Sequence, residues 1–246
     1  MVPAVILAAG LGKRISARTN GGPKALLDVH GRTLLDRSLD ALGAAGFKDV
    51  LVVTGHAAEA VRPTLADASR GLTITERWNP AFDTANNIVS ALTVEDAVRD
   101  GFCLLNCDIV FDPSILVNIA SLETGNWLVV DGDEPLGQEE MKVALDERGV
   151  LRRISKLLDP AVSAGEYIGI CRFDAVGAAT LMASARRLVA DGATHLYYED
   201  AMDAAAGDLN LRVSWTDLRA WTEIDDEDDY QRALRVAAKL DTSAPR

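Results

Sequence analysis

Residues 2–14 read VPAVILAAGLGKR, a continuous apolar run followed by two glycines and two cations. The apolar part is typical of a parallel strand that is buried on both faces. Gly10 and Gly12 allow backbone N–H groups to approach phosphate oxygens, and Lys13 and Arg14 supply the positive charge that neutralises them. For the loop alone, the alternative is a sharp strand-to-helix turn with solvated cations. The stretch predicts an α/β fold with a candidate phosphate loop after its first strand.

Strand-like and helix-like segments alternate over the first half of the chain. Thr33 and Asp36 form a capping-box-like helix start, and Gly46 lies just past the predicted end of that helix. This alternation predicts a parallel, doubly wound sheet with right-handed crossovers. The predicted strands of this half are 2–8, 49–55, 72–78 and 101–110, with a helix up to about Pro63 after the second.

The pattern changes after about residue 125, where four strand-like runs follow one another. They read WLVVDGD, MKVALDERG, VLRRISKLL and EYIGICRF, and ERG forms the tip of a predicted hairpin. Helical patterns return at 175–190 and 196–206, before a strand at 211–218 and a last helix from about 226 to 240. We predict a single domain over residues 1–240, a small antiparallel insert that covers the site, and a C-terminal tail over residues 241–246.

Charge and cysteine content exclude several classes of protein. The 246 residues include 37 acids and 25 bases, and the net charge of -12 argues against a nucleic-acid footprint spread over the surface. The apolar start has no basic segment before it and is too short to span a bilayer, so we expect a cytoplasmic protein without a membrane partner. The three cysteines form no CxxC pair and are predicted to be core thiols in a reducing compartment.

Two well-known phosphate loops fail against the opening stretch. The third glycine of GxGxxG is replaced by Ile15, and the Walker pattern fails because Arg14 follows Gly12-Lys13. What remains is LAAGLGKR followed by PKALL, with Pro23 and Lys24 some ten residues after the cations. This combination resembles the signature of the nucleotidyltransferases that join nucleoside triphosphates to small phosphorylated alcohols and release pyrophosphate. The resemblance implies a Rossmann-like, doubly wound, mostly parallel but mixed sheet of the nucleotide-diphospho-sugar transferase type.

The resemblance also implies roles for the residues of the loop. In the family the loop backbone wraps the triphosphate, and basic side chains hold the phosphates. Carried over, the catalytic cations are Arg14 and Lys24, and the nucleotide-binding residues are Leu7, Ala8, Ala9, Gly10, Gly12 and Lys13.

Acidic residues later in the chain match the metal site of the family. Asp108 lies at the carboxyl end of a predicted strand, where open α/β sheets bind ligands. Its alternative role, capping the next helix, suits Asp112 better because Asp112 directly precedes Pro113. Glu223 and Asp225 flank an apolar residue and share one face of an extended segment, although acids here also suit a helix N-terminus. The resemblance implies Mg²⁺ held by Asp108 and Asp225, with Glu223 beside them.

The acceptor side is predicted from the second half of the chain. The resemblance places Lys156 against the acceptor phosphate, whereas a solvated lysine on an exposed strand face is the alternative. Glu166 is a candidate hydrogen-bond partner for a hydroxyl or amine, and Tyr198 and Glu199 are further candidates for the acceptor. Asn87, with Asn86, is predicted to read a base or an acceptor, or to cap a helix. An acceptor with a choline-like head would also need aromatic side chains around it.

Chain length, the compact insert and the segments EYIG, YYED and WTEIDD resemble the cytidylyltransferase branch of the family. This resemblance implies an Mg²⁺-dependent enzyme that condenses CTP with a small phosphorylated alcohol or phosphonate. The acceptor types expected are phosphocholine, inositol phosphate and aminoalkylphosphonate, and the products are a CDP- or CMP-linked compound and pyrophosphate. A sugar-1-phosphate nucleotidyltransferase using UTP, dTTP or GTP is the alternative within the class. An NAD(P)-binding oxidoreductase and a non-catalytic nucleotide-binding regulator are the alternatives from other classes. The sequence indicates no oligomeric state.

Overall fold

A nine-stranded mixed sheet forms the centre of the computed structural model, which describes residues 1–243. The strands are β1 Ala4–Ala8, β2 Asp28–Val29, β3 Arg32–Thr33, β4 Asp49–Thr54, β5 Thr73–Trp78, β6 Gly101–Asn106, β7 Ile109–Phe111, β8 Trp127–Asp131, β9 Lys142–Leu145, β10 Leu151–Ser155, β11 Gly165–Asp174, β12 Arg212–Trp215 and β13 Trp221–Glu223. The helices are α1 Leu34–Ala44, α2 Ala58–Leu65, α3 Asn87–Leu92, α4 Ser114–Ser121, α5 Ala175–Ala190, α6 Tyr198–Ala204, α7 Ala206–Leu209 and α8 Glu227–Ser243.

The sheet has a parallel half and an antiparallel half that meet at β6. Seven of its strands follow the order β10-β9-β11-β6-β1-β4-β5, and the pairs from β6 to β5 are parallel. The other two strands are β8, which pairs with β11, and β12, which pairs with β8. β11 runs antiparallel to β6, β8 and β9, and β12 runs parallel to β8. This arrangement confirms the doubly wound, mixed sheet with its antiparallel part in the second half of the chain.

Helices cover both faces of the sheet, which explains the continuous apolar run of β1. Val5 and Leu7 pack in a core cluster with residues of α3, α5 and α6, whereas Ala4, Ile6 and Ala8 pack against α1 and α4. A third cluster, with Ile15 and Val110 among its members, packs against α8. Both faces of β1 are therefore apolar, and only its carboxyl end is free to meet a ligand.

Several local predictions are confirmed. Thr33 caps α1, since its hydroxyl oxygen accepts the Asp36 backbone N–H at 3.0 Å. Gly46, just after that helix, has φ +89°. The hairpin between β9 and β10 turns at residues 146–150, with Gly149 at φ +76°. The three cysteines are buried and free.

The predicted strand over residues 101–110 is wrong in one respect, because it is two strands. β6 ends at Asn106, the chain turns at Cys107 and Asp108, and β7 then pairs with β13 in a separate two-stranded sheet. The Ile224 N–H donates to the Asp108 carbonyl oxygen at 2.9 Å and continues this pairing. Asp108 therefore lies in the turn after β6, at the carboxyl edge of the central sheet.

The last helix is longer than predicted. It continues to Ser243, so residues 241–243, which we assigned to a C-terminal tail, are helical. Arg37 holds this end of α8 through a bidentate ion pair with Asp241, at 3.0 and 2.8 Å. Residues 244–246 of the predicted tail lie outside the described residues. α2 likewise runs past Pro63, to Leu65.

No helix within residues 1–243 has both the length and the apolar character needed to cross a bilayer.

Candidate active site

A cavity of about 630 Å³ lies at the carboxyl ends of β1 and β6 and beside the start of β11. It gathers side chains that are far apart in the sequence, as expected for an open α/β sheet. The predicted residues that line it are Leu7, Ala9, Gly10, Gly12, Lys13, Arg14, Lys24, Asn87, Asp108, Lys156, Glu199, Glu223 and Asp225.

The glycine loop has the close packing that only glycine permits. Gly12 has φ +55°, and a Cβ on it would lie 2.9 Å from the Cβ of Lys24. A short 3-10 turn over Lys13–Ile15 follows, and Ile15, in place of the third glycine of GxGxxG, is buried in the core. Arg18, further along, donates to Glu227 of α8 at 2.9 Å. The loop is therefore anchored on both sides, and its cations at positions 13 and 14 are left facing the cavity.

Lys24 is directed into the cavity by buried neighbours. Ala25 and Leu27 are both buried beside it, and the chain forms a 3-10 turn over Lys24–Leu26. Lys24 is itself only 8% exposed. Its Nζ donates to Asp108 Oδ2 at 3.0 Å and to Asp225 Oδ1 at 2.9 Å. Burial lowers the Lys24 pKa, but the two carboxylates outweigh burial and hold that pKa above its ordinary value.

Three carboxylates converge opposite the glycine loop. Asp108, Glu223 and Asp225 each offer an oxygen, and these oxygens lie within 4.8 Å of one another. Burial, followed by the charges of Asp108 and Asp225, raises the pKa of Glu223 to about 8. Arg14 donates to Asp225 Oδ2 at 2.7 Å, so this acidic cluster faces two cations of the phosphate loop. Asp112 instead accepts the Ser114 N–H at 2.8 Å at the start of α4, the capping role considered for it above.

The donor set of the acidic cluster fits a hard divalent cation. Mg²⁺ binds oxygen ligands and is typically held by one or two carboxylates together with substrate phosphates. Oδ1 of Asp108 is buried and lacks a hydrogen-bond partner among the residues described. An orphaned carboxylate oxygen is costly unless a cation or a donor meets it. The acidic cluster therefore fits the protein's share of the ligands of Mg²⁺, with the remaining positions left for substrate phosphates.

The two asparagines before α3 have different roles. Asn86 Oδ1 accepts the Asn87 N–H at 2.8 Å, so Asn86 caps the helix, one of the alternatives considered for it. Asn87 Oδ1 accepts the Tyr198 N–H at 2.9 Å and ties the start of α3 to the start of α6. Both residues also line the cavity.

Three of the predicted site residues, Ala8, Tyr198 and Glu166, do not line this cavity. Ala8 points to the opposite face of β1 from Leu7 and packs against α1, because alternate residues of a strand face opposite ways. Tyr198 is fully buried, and its hydroxyl bonds to the Tyr167 hydroxyl at 2.9 Å and to Asn106 Oδ1 at 3.1 Å. Its two hydrogen-bond partners, Tyr167 and Asn106, line the cavity, so the Tyr198 side chain lies behind the lining.

Glu199 is a buried carboxylate on the wall of the cavity. It is 4% exposed, and its Oε2 has no hydrogen-bond partner in the described part of the chain. Burial is the main reason that its pKa rises to about 7. Phe82, Tyr167 and Tyr197 supply aromatic surface in the same cavity, whereas Trp78 and Trp215 lie outside its lining.

A second cavity, of about 540 Å³, adjoins the first and shares Arg14, Lys156 and the acidic cluster with it. Glu166 faces this second cavity and not the first. Burial raises the Glu166 pKa to about 7, with further contributions from Glu140 and Asp131, whereas Lys156 and Lys142 act in the opposite direction. Lys156 therefore stands where the two cavities meet.

Sequence reasoning missed three groups of residues at the site. Asn106 lines the cavity and shares strand parity with Asp108, a signal that was available in the sequence. Glu139 and Met141 also line it, from a loop that carries no motif. Lys142, at the end of that loop, is fully buried, which the sequence does not indicate.

Comparison with known proteins shows the family to which this chain belongs. The MobA-like NTP transferase domain matches residues 4–161. The chain is 32% identical over 245 residues to the CMP-5'-(3-aminopropyl)phosphonate synthase of Streptomyces rubellomurinus, covering 94% of this chain and 38% of that protein. It is 31% identical over 114 residues to the choline-phosphate cytidylyltransferase of Haemophilus influenzae, covering 46% of this chain and 47% of that protein. The chain thus matches less than half of the length of either relative.

Solved structures share the fold. The CTP:phosphocholine cytidylyltransferase from Streptococcus pneumoniae superposes with a TM-score of 0.80 at 20% identity, covering 96% of this chain and all (100%) of that one. The inositol-1-phosphate CTP transferase from T. maritima gives a TM-score of 0.80 at 21% identity, covering 100% and 98%. Together with the glycine loop and the match over residues 4–161, these comparisons identify the chain as a nucleotidyltransferase enzyme of the MobA-like NTP transferase family.

Proposed function

We propose that this enzyme is an Mg²⁺-dependent cytidylyltransferase that condenses CTP with a small phosphorylated alcohol or phosphonate. The observation that carries the proposal is the pairing of Lys24 and Arg14 with Asp108 and Asp225 across one cavity. Loop cations facing a carboxylate cluster suit a metal–triphosphate complex, because the cations meet the phosphates and the carboxylates meet the metal.

The nucleotide side is formed by the glycine loop. Gly10 and Gly12 bring backbone N–H groups to the triphosphate, with Lys13 as a supporting cation. Arg14 and Lys24 exchange their carboxylate partners for phosphate oxygens and neutralise charge on the triphosphate. Bound Mg²⁺ supplies Lewis-acid polarisation of the phosphate oxygens and would be held by Asp108 and Asp225, with Glu223 beside them.

The reaction needs no activated side-chain nucleophile. An oxygen of the acceptor's phosphate or phosphonate is already anionic at neutral pH, and Lys156 holds it where the two cavities meet. That oxygen forms a bond to the α-phosphorus of CTP, and the bond from the α-phosphorus to the bridging oxygen of the β-phosphate breaks. Pyrophosphate leaves with the electron pair, so atoms and charge balance. The enzyme contributes alignment of two anions and neutralisation of their charge.

Glu199 favours an acceptor whose far end carries an ammonium group. A buried carboxylate without a cationic partner is costly, and a substrate cation would supply that partner. Phe82 and Tyr197 offer aromatic faces that favour the same charge. Glu166, in the second cavity, is the other candidate for a hydroxyl or amine of the acceptor. Phosphocholine and aminoalkylphosphonates have this chemistry, and the name of the Streptomyces relative includes an aminopropylphosphonate.

The choice of CTP is supported by the names of three similar proteins, each of which contains the word CTP or CMP. Asn87 lines the cavity and is the candidate for reading the base. The alternative, a sugar-1-phosphate nucleotidyltransferase, is favoured by a 31% identity over 112 residues to the UTP--glucose-1-phosphate uridylyltransferase AglF of Haloferax volcanii.

A pyrophosphate-release screen tests the proposal. It combines CTP, UTP, ATP and GTP with phosphocholine, aminoalkylphosphonates, inositol phosphate and sugar 1-phosphates in the presence of Mg²⁺. Cytosine has a donor where uracil has an acceptor, so a site built for cytosine leaves polar groups unpaired with UTP. We expect turnover with CTP to be at least roughly a hundredfold above that with UTP. Equal or better turnover with UTP or a purine nucleotide, or release only with sugar 1-phosphates, would contradict it.

A further inference from the structure

Lys142 is a buried lysine that the proposed chemistry does not use. It is the first residue of β9, fully buried, and it pairs with Ser155 of β10 on one side and with Glu166 of β11 on the other. An ammonium removed from water is costly unless other groups compensate its charge. Lys142 nevertheless forms no ion pair with any residue of the range 1–243. Its charge interacts with the neighbouring Glu166 and partly offsets the rise that burial causes in the pKa of that carboxyl, and its direct contacts are hydrogen bonds.

All the hydrogen bonds of the Lys142 ammonium go to one loop. Nζ donates to the carbonyl oxygens of Gly137 at 3.2 Å, Gln138 at 3.0 Å and Glu140 at 3.0 Å. An ammonium has three N–H groups, so the three bonds use its full donor capacity. The Gly137 N–H also donates to Glu140 Oε2 at 2.8 Å and closes the same segment. We name residues 132–141, which join β8 to β9, the acceptor-side loop.

The middle of the acceptor-side loop has no other hydrogen-bonded support. Residues 134–140 lie in no helix or strand, and the four hydrogen bonds given above are those that the structure describes for them. A segment without a ladder or helix depends on such contacts to keep one conformation. The position of this segment therefore depends on the Lys142 ammonium and on the closure by Glu140.

The same segment forms a wall of the proposed acceptor site. Glu134, Pro135, Glu139 and Glu140 line the second cavity opposite Lys156 and Glu166, and Glu139 lines the first cavity too. An apolar side chain would fill the buried position of Lys142 without the cost of desolvating a charge. Since every hydrogen bond of the ammonium goes to the loop, its removal acts on the shape of the wall. Loss of its charge also raises the pKa of Glu166.

We propose that Lys142 is a positioning residue, whose buried ammonium fixes the acceptor-side loop as the wall against which the acceptor binds. The proposal rests on the proposed function for the ligand that meets this wall, and not for the contact between Lys142 and the loop. Lys142 touches neither nucleotide nor acceptor, because it is buried behind the loop. Its removal is expected to weaken acceptor binding and to leave nucleotide binding unchanged.

Amide hydrogen exchange on the free protein tests the first step. Lys142→Met keeps most of the side-chain volume and removes the ammonium, and Arg148→Met, at the exposed tip of the same hairpin, is the control that also removes one positive charge. We expect exchange over residues 134–141 to become at least roughly tenfold faster in Lys142→Met and to stay as in the wild type in Arg148→Met. Unchanged exchange in a folded Lys142→Met would overturn the proposal.

A second variant covers the case in which Lys142→Met does not fold. Glu140→Ala opens the segment from its exposed side and leaves the core intact, so faster exchange over residues 134–141 is again expected. Exchange as fast as in an unstructured peptide, with Lys142 still present, would show that Glu140 and not Lys142 fixes the loop and would overturn the proposal. Lys142→Ala with added methylammonium provides a rescue test, because the small cation can donate to the same carbonyl oxygens. Rescue of slow exchange by methylammonium, and not by tetramethylammonium, is the expected result.

Steady-state kinetics test the second step, with the substrate pair that the pyrophosphate screen selects. Lys142→Met is expected to raise the KM for the acceptor roughly tenfold, with the KM for the nucleotide changed less than about twofold. Equal changes in both KM values, or an unchanged acceptor KM, would overturn the role of Lys142 in forming the wall. If the wild-type enzyme turns over no substrate pair, the proposed function fails, and hydrogen exchange still decides whether Lys142 fixes the loop.

Discussion

Replacing Asp108 by Asn tests whether this residue binds the metal or stabilises the fold. The side chain keeps its size and loses its charge, so the proposed Mg²⁺ site loses one of its two main carboxylates. Asp112, which caps α4, is the matched control, because the two aspartates directly flank β7, Asp108 before it and Asp112 after it. We expect Asp108→Asn to abolish most activity at little cost in stability, and Asp112→Ala to do the reverse.

The electrostatic contacts of Asp108 largely offset one another. With an effective dielectric constant of about 20, its contact with Lys24 at 3.0 Å is favourable by ~5–6 kcal/mol. Repulsion between the oxygens of Asp108 and Asp225, which lie within 4.8 Å of each other, opposes it by at least ~3 kcal/mol. Burial and the charges of Asp108 and Asp225 raise the pKa of Glu223, which reduces the repulsion that Glu223 adds. Desolvation of Asp108 reduces the balance further, so the free energy of unfolding should change by less than ~2 kcal/mol.

The effect on catalysis is much larger. If the metal supplies ~4 kcal/mol to the transition state, loss of its anchor lowers turnover roughly a thousandfold. The assay compares pyrophosphate release at saturating Mg²⁺ with urea unfolding in the absence of metal. Asp112→Ala should lose ~1 kcal/mol of stability through its missing cap and keep its rate. A near-normal rate in Asp108→Asn, or a large loss of its folding, would refute the assignment of Asp108 to the metal.

Further predictions concern the phosphates, the acceptor and the C-terminal helix. Lys24→Met should raise the KM for the nucleotide, whereas Lys156→Met should raise the KM for the acceptor, since each variant loses a charge-assisted contact to a different phosphate. The same defect toward both substrates in both variants would contradict this division of roles. Glu199→Gln should lower kcat/KM at least roughly tenfold for an acceptor that bears an ammonium and less for a neutral one of similar size, and an equal loss for both would exclude ammonium recognition. Hydrogen bonds from Arg37 lower the Asp241 pKa to about 2, so the stability that this pair adds is present above the unfolded pKa of about 4 and is lost as the pH falls toward 2. Urea unfolding from pH 5 to pH 2 should therefore show a steeper loss in the wild type than in Asp241→Asn, and parallel curves would rule this contribution out.

The features that sequence predicted well are those set by nearby residues. The buried strand β1 follows from five consecutive apolar residues, and the start of α1 follows from Thr33 and Asp36, which bond directly to each other. The glycine loop is similarly local, because Gly12 must avoid Lys24 in the same segment. Such features carry their cause within a short stretch of chain.

The features that sequence missed depend on distant partners. The break after Asn106 is hidden in a continuous apolar run, since β7 leaves the sheet to pair with β13, which comes much later in the chain. Of two adjacent tyrosines, Tyr197 lines the cavity and Tyr198 is buried, a difference set by the phase of α6. Lys142 resembles any other lysine at the start of a strand until the loop before it is folded over its ammonium.

The contacts of Lys142 also bear on how the enzyme can change over evolution. Its three acceptors are backbone carbonyl oxygens, which every amino acid provides, so Glu140 is the one side chain of residues 134–140 whose hydrogen bond helps to hold the loop. Mutations at Glu134 and Glu139, which line the second cavity, can therefore alter the surface offered to a small molecule and leave the anchoring intact. The glycine loop and the acidic cluster belong to other segments and stay undisturbed by such changes. New acceptors can arise by point mutation within one exposed segment, and a library randomised at these two positions would find them at low cost to folding.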